Sequence, residues 1–121
     1  MLAERMYLPA FTDERGTLIA AELAEIPFQV QRVFTVSGPV GGATRGEHAV
    51  DCNELIVLQS GAVTIRLGPN EHTIDETVVL KRGGDAVFLR PGCFLAYDLP
   101  DEHASILVLA EAPYSVERAK R

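Results

Sequence analysis

The amino-acid sequence predicts an all-β chain folded as one small barrel or sandwich, and three observations carry that reading. Short β-branched and aliphatic runs recur from Gln29 onward, Gly- and Pro-rich turns separate them at nearly even spacing, and one run alternates apolar and polar residues with a period of two. Strands spaced in this way belong to sandwiches and barrels.

The alternation is clearest from Ala62 to Leu67. Val63, Ile65 and Leu67 share one parity while Thr64 and Arg66 take the other, which is the pattern of a strand buried on one face. Glu54–Gln59, Ala86–Leu89 and Ser105–Leu109 are apolar runs of the length expected of buried strands. Between them stand Ser60-Gly61, Gly68-Pro69-Asn70, Arg82-Gly83-Gly84-Asp85, Arg90-Pro91-Gly92 and Leu99-Pro100-Asp101, all turn formers. The N-terminal third is less regular. Asp13-Glu14-Arg15-Gly16 reads as a turn, and Gly16–Leu23 as a strand leaving it; the alternative is a helix burying Leu18, Ile19, Glu22, Leu23 and Ile26. Residues 112–121 read as a tail or a short helix. With no internal repeat and no second boundary, 1–121 is expected to be a single domain.

Composition bounds the function. The chain has 121 residues, 47% of them hydrophobic, enough to bury about two-thirds of the surface of its unfolded form. A net charge of −6 and a pI near 5.0, without a stripe of Lys and Arg, argue against a nucleic-acid partner. No apolar run approaches a membrane span, and Met1-Leu2-Ala3-Glu4-Arg5 lacks the layout of a secretion signal, so no membrane partner and a cytoplasmic location are expected. Cys52 and Cys93 form no metal spacing and are read as buried free thiols. His72 and His103, beside Glu71 and Glu102, are read as surface residues.

The most informative stretch is Thr44-Arg45-Gly46-Glu47-His48-Ala49-Val50, followed by Glu54 and Gly61. In a strand, residues two apart face the same way, so a His-x-His pair aims two imidazoles at one point. This spacing resembles the cupin metal motif, a jelly-roll (double-stranded β-helix) barrel in which two histidines, a glutamate and a later histidine hold a divalent ion. Here Val50 stands at the second histidine. The later segment Gly84–Leu95 resembles the second cupin motif, but Leu95 takes its histidine's place. Two ligands of four would leave a metal under-coordinated; the expectation is a cupin barrel without a metal or other cofactor.

Asp13-Glu14-Arg15-Gly16-Thr17-Leu18, Ile26-Pro27-Phe28, Gln31-Arg32-Val33-Phe34 and Arg45-Gly46-Glu47-His48-Ala49 together resemble the family of sugar-nucleotide 3,4-ketoisomerases, metal-independent cupins of deoxysugar biosynthesis, over about Asp13 to Pro113. The resemblance implies a homodimer that exchanges N-terminal strands, here about residues 6–25. It also implies an isomerase acting on a dTDP-4-keto-6-deoxyhexose by proton transfer between C3 and C4 through an enediolate. His48 then matches the proton-moving histidine, while Arg45 and Arg32 match arginines suited to the pyrophosphate or the developing oxyanion. Thr35 stands where an aromatic residue is usual. Tyr97, of the same parity as Leu95, is a candidate replacement proton donor or else a filler at the barrel rim, and Glu54 is a candidate substrate contact.

Parity adds expectations of its own. Arg32 shares a face with Val30, Phe34 and Val36 and must be paired or face a ligand, since burying an unpaired guanidinium is costly. If the strand is regular from Thr44 to Val50, His48 and Val50 point one way and Arg45 and Glu47 the other. The alternative to the enzyme is a barrel that has lost chemistry and binds a sugar nucleotide or other small molecule as a sensor or partner subunit.

Overall fold

The computed structural model describes residues 3–113. Eleven strands follow one another: β1 (Ala3–Tyr7), β2 (Ala10–Asp13), β3 (Gly16–Ile19), β4 (Arg32–Ser37), β5 (Ala43–Ala49), β6 (Glu54–Ser60), β7 (Val63–Gly68), β8 (Glu76–Leu80), β9 (Asp85–Leu89), β10 (Phe94–Leu99) and β11 (Ser105–Ala110). They form a five-stranded sheet in the order β1-β9-β6-β11-β4, a four-stranded sheet in the order β5-β10-β7-β8, and a separate β2-β3 hairpin. From β4 to β11 the chain passes repeatedly between the two larger sheets. This is the winding of a jelly-roll barrel, and the all-β expectation holds.

Every pairing is antiparallel, so side chains alternate between the barrel interior and the outside. Val63, Ile65 and Leu67 point inward, as their parity predicts, and meet Ile56, Leu58, Val87, Leu89, Ile106 and Val108 from the facing sheet. β6 and β9 are apolar on both faces because the larger sheet is covered outside as well. Leu55, Val57, Ala86 and Phe88 pack beneath Ile26, Phe28, Ile19 and Met6 of the N-terminal chain, with the Phe28 and Phe88 rings stacked at 6.0 Å.

The N-terminal third follows the strand reading only in part. β3 stops at Ile19, and a single 3₁₀ turn, Leu23–Glu25, precedes the segment that covers the sheet. No helix gathers the apolar residues from Leu18 to Ile26; Ile19 and Ile26 face the sheet while Leu18 and Leu23 are exposed. The β2-β3 hairpin lies outside both sheets. Phe11 pairs with Leu18 across it, and both stay more than 60% exposed. Of the expected C-terminal tail or helix, residues 114–121 lie outside the described residues. Among the described residues no helix is long and apolar enough to cross a membrane.

Candidate active site

The site is organised by a fault in one strand. Where β5 pairs with β10, Leu95 opposes His48 but Ala96 opposes Gly46, so Glu47 is an extra residue, a β-bulge. Gly46 and Glu47 both take left-handed backbone, at φ 85° and 59°. Glycine is required at the first position: a Cβ there would stand 3.1 Å from the Leu95 carbonyl oxygen and 3.2 Å from Cε1 of the Tyr97 ring. Glu47 instead lines a cleft on the outer face with Arg66 and Phe94.

The bulge overturns the parity expected of a regular β5. Arg45 opposes Tyr97 and His48 opposes Leu95; Tyr97 and Leu95 both point into the core. Residues directly opposite in an antiparallel pair share a face, so Arg45 and His48 lie on one face, the inward one, with His48 half-buried and Arg45 exposed at the sheet edge. Their separation onto opposite faces would have required the uninterrupted pairing that Glu47 breaks.

His48 is half-buried, one residue before the end of β5. Its Nδ1 lies 2.8 Å from the carbonyl oxygen of Ala49. A carbonyl only accepts, so Nδ1 carries a proton and donates it, leaving the Nε2 lone pair of the neutral ring available. Nε2 is sealed from solvent and has no hydrogen-bond partner among the described residues. Leu95 lies directly across, with Val50 and Cys93 beside it in the same buried cluster. Val50 and Leu95 thus make apolar the two positions where the cupin pattern has imidazoles.

From the larger sheet, Arg32 on β4 and Glu54 on β6 flank the small Ala110 of β11 on one interior row. The Arg32 guanidinium sits over the Phe34 ring, 4.7 Å from its centroid. It has no carboxylate partner among the described residues, and its buried Nε lacks a hydrogen bond there. Of the two outcomes parity allows, ion pairing or a place toward a ligand, the first is absent among these residues. Glu54 is only 1% exposed.

Two candidates sit elsewhere than expected. Tyr97 is fully buried rather than at a rim: its ring packs beneath Gly46, within the core cluster. Thr35 does not join the site. It opposes Leu107, on the face away from Arg32, Phe34 and Val36, because a strand turns successive side chains to opposite faces. His72 and His103 are surface residues beside Glu71 and Glu102, as expected. Cys52 and Cys93 are free and buried, with thiols pushed up first by burial.

Sequence reading missed one side chain. Glu76 opens β8 on the face of Val78 and Leu80, opposite Leu67, and so starts the interior row that runs through Leu67 and Leu95 to His48. Its signal was there in Glu76-Thr77-Val78-Val79-Leu80, where a carboxylate shares parity with two core residues.

The donor set does not suit a resident metal. Among the described residues, the one grouping of three His, Cys, Asp or Glu donor atoms within 4.8 Å is Asp51, Cys52 and Glu54, and it excludes His48. Burial, followed by the neighbouring Glu54 and Asp51 carboxylates, pushes the Cys52 thiol up. Val50 and Leu95 supply no lone pair.

A profile of the FdtA family (WxcM-like, C-terminal) matches residues 3–119. Among solved structures, a 3,4-ketoisomerase from Helicobacter canadensis is similar at 27% identity and a TM-score of 0.80, over 97% of this chain and 88% of that one. The WlaRB TDP-quinovose 3,4-ketoisomerase from Campylobacter jejuni matches at 26% identity and 0.77, over 94% and 88%. QdtA, a sugar 3,4-ketoisomerase from Thermoanaerobacterium thermosaccharolyticum solved with TDP, shares the fold at 21% identity and 0.80, over 98% and 85%. No curated protein sequence matches the chain.

Proposed function

The chain belongs to the FdtA family of WxcM-like, C-terminal domains, and on that footing we propose that it is a metal-independent sugar-nucleotide isomerase, a 3,4-ketoisomerase of dTDP-4-keto-6-deoxyhexoses. The similar proteins from Helicobacter and Campylobacter are described as 3,4-ketoisomerases. The single observation that carries the reading is the His48 imidazole, whose Nδ1 is committed to Ala49 and whose Nε2 lone pair faces the interior unused.

In this reading the sugar ring enters the end of the barrel at His48 and displaces the groups that close off Nε2, bringing C3 and C4 against it. His48 removes the C3 proton, and the electron pair moves into a C3–C4 double bond as the C4 carbonyl becomes an oxyanion. The imidazolium returns its proton to C4 on the same face. Transfer of the hydroxyl proton from O3 to O4 completes the 3-keto product. Arg32 and Arg45 hold the pyrophosphate or steady the oxyanion; Arg32 is half-buried over the Phe34 ring, and a preorganised cation in a water-poor site is worth far more than one in solution. Tyr97, whose oxygen is closed to solvent, stands as the proton relay between the two oxygens, and Glu54 lies beneath the sugar.

We place the enzyme in the cytoplasm as a homodimer, with residues 6–25 as the exchanged segment. The support for the dimer is the hairpin itself, which presents Phe11 and Leu18 outward and touches neither sheet through its own ladder; an exposed apolar pair of that kind calls for a covering surface.

A second reading keeps the barrel and the ligand but removes the chemistry, leaving a sensor or partner subunit. The apolar residues Val50 and Leu95 at the two histidine positions of the cupin pattern and the outward turn of Thr35 favour it. Incubation with dTDP-4-keto-6-deoxyglucose, followed by NMR, separates the two: the 3-keto isomer supports the enzyme, and tight binding without conversion supports the module.

A further inference from the structure

The charged side chains on the inward-facing rows of the two sheets are segregated, although Arg45, on an edge strand, is exposed. Arg32 and Arg45 lie on β4 and β5, the edge strands of the two facing sheets, which follow one another in the chain and share one flank. Glu76 lies on β8, the edge strand of the opposite flank. It is half-buried, points to the same side as Val78 and Leu80, and starts its strand at the end of the barrel where His48 lies on the same row. Glu54 reaches the same region from the other sheet; the charges of both carboxylates, after burial itself, act on the Cys93 thiol between them.

We propose that Glu76 is a specificity-determining residue that accepts a hydrogen bond from a hydroxyl of the bound hexose. The assignment rests on the sugar-nucleotide reading above. A carboxylate accepts and never donates when ionised, so it suits a hydroxyl and repels a diphosphate. The nucleotide is thereby oriented: its diphosphate lies along the Arg32 and Arg45 flank and its sugar extends toward β8. Three strand spacings separate Glu76 from His48 along their common row, roughly 14 Å, and with a side chain reaching inward from each end the remaining gap is on the order of one sugar ring. Glu54, at 1% exposure, is the more deeply buried of the two carboxylates, whereas Glu76 is half-buried and is the one placed to meet a hydroxyl. A site built to hydrogen-bond a particular hydroxyl discriminates strongly against sugars that lack it.

Calorimetric titration with dTDP and with a dTDP-hexose tests the assignment in the full chain. Glu76→Ala is expected to leave dTDP affinity within twofold and to weaken the dTDP-hexose at least tenfold. Glu76→Gln, nearly isosteric and still an acceptor, is expected to lose less. Equal losses for both ligands would mark Glu76 as structural, and an unchanged dTDP-hexose affinity in Glu76→Ala would remove it from recognition; either result overturns the proposal. If the unaltered chain binds neither ligand, the sugar-nucleotide reading itself falls and takes this assignment with it.

Discussion

Replacing Gly46 by alanine tests whether the β5 bulge builds the site. At φ 85° an L-residue costs about 1–2 kcal/mol relative to ordinary backbone. The added Cβ would meet the Leu95 carbonyl oxygen at 3.1 Å and the Tyr97 ring at 3.2 Å; neither group is the free end of a flexible chain, so overpacking adds up to about 1 kcal/mol. The restricted unfolded chain returns about 0.4–1 kcal/mol. The net expectation is a loss of about 1–2 kcal/mol, measurable by urea unfolding at fixed protein concentration. Relief of the strain would also shift His48, and a displacement of about 1 Å at a reacting group costs on the order of 100-fold in turnover. Glu47→Gly serves as the control: at φ 59° the gain from relaxed backbone and the loss from a looser unfolded chain offset to within about 0.5 kcal/mol. A Gly46→Ala protein as stable and as active as the parent would refute the bulge argument.

Other expectations follow from the same geometry. Thr35→Val, on the face turned away from Arg32, is expected to leave kcat/KM within twofold; a loss above tenfold would return Thr35 to the site. Long-range ¹H–¹⁵N correlation of the neutral imidazole of His48 should show the Nδ1–H tautomer, and the Nε2–H tautomer would contradict the Ala49 contact. On the outer face, Asp98 accepts two hydrogen bonds from Arg66, at 2.9 and 3.0 Å, and one from Thr44, and Arg66 holds its carboxyl below the usual range. A carboxylate with a depressed folded pKa stabilises above its unfolded value and loses that contribution as pH falls through the folded one. Asp98→Asn should therefore destabilise at neutral pH by less than about 1 kcal/mol, since the pair is more than one-third exposed. The difference from the parent should shrink as the medium is acidified below the ordinary carboxylate range, and a difference that grows with acidification would refute the pairing.

Much of the architecture was legible because antiparallel strands write their burial into parity. Val63, Ile65 and Leu67 announced an inward face, and Arg32 with Phe34 and Val36 announced another, both kept by regular pairing. The His48, Val50 and Glu54 spacing marked the barrel end where the interior polar groups gather. What stayed hidden depended on partners distant in the chain. The bulge at Glu47 is set by where Leu95 and Ala96 pair and by a Tyr97 ring that leaves no room for a Cβ on Gly46; glycine alone does not say whether a strand continues or shifts register. Tyr97 looked like a rim residue because parity reports the face and not the depth. The N-terminal apolar residues divide between a covered sheet face and an exposed hairpin, a division that local periodicity does not encode.

The central claim, that the Nε2 of His48 is the base that moves the proton, is tested most directly by following deuterium entry at C3 of dTDP-4-keto-6-deoxyglucose in deuterium oxide, with the parent and with His48→Asn. Exchange in the parent that disappears in the variant, while dTDP binding and the unfolding midpoint are retained, is the predicted result. Exchange at an undiminished rate in His48→Asn would contradict it.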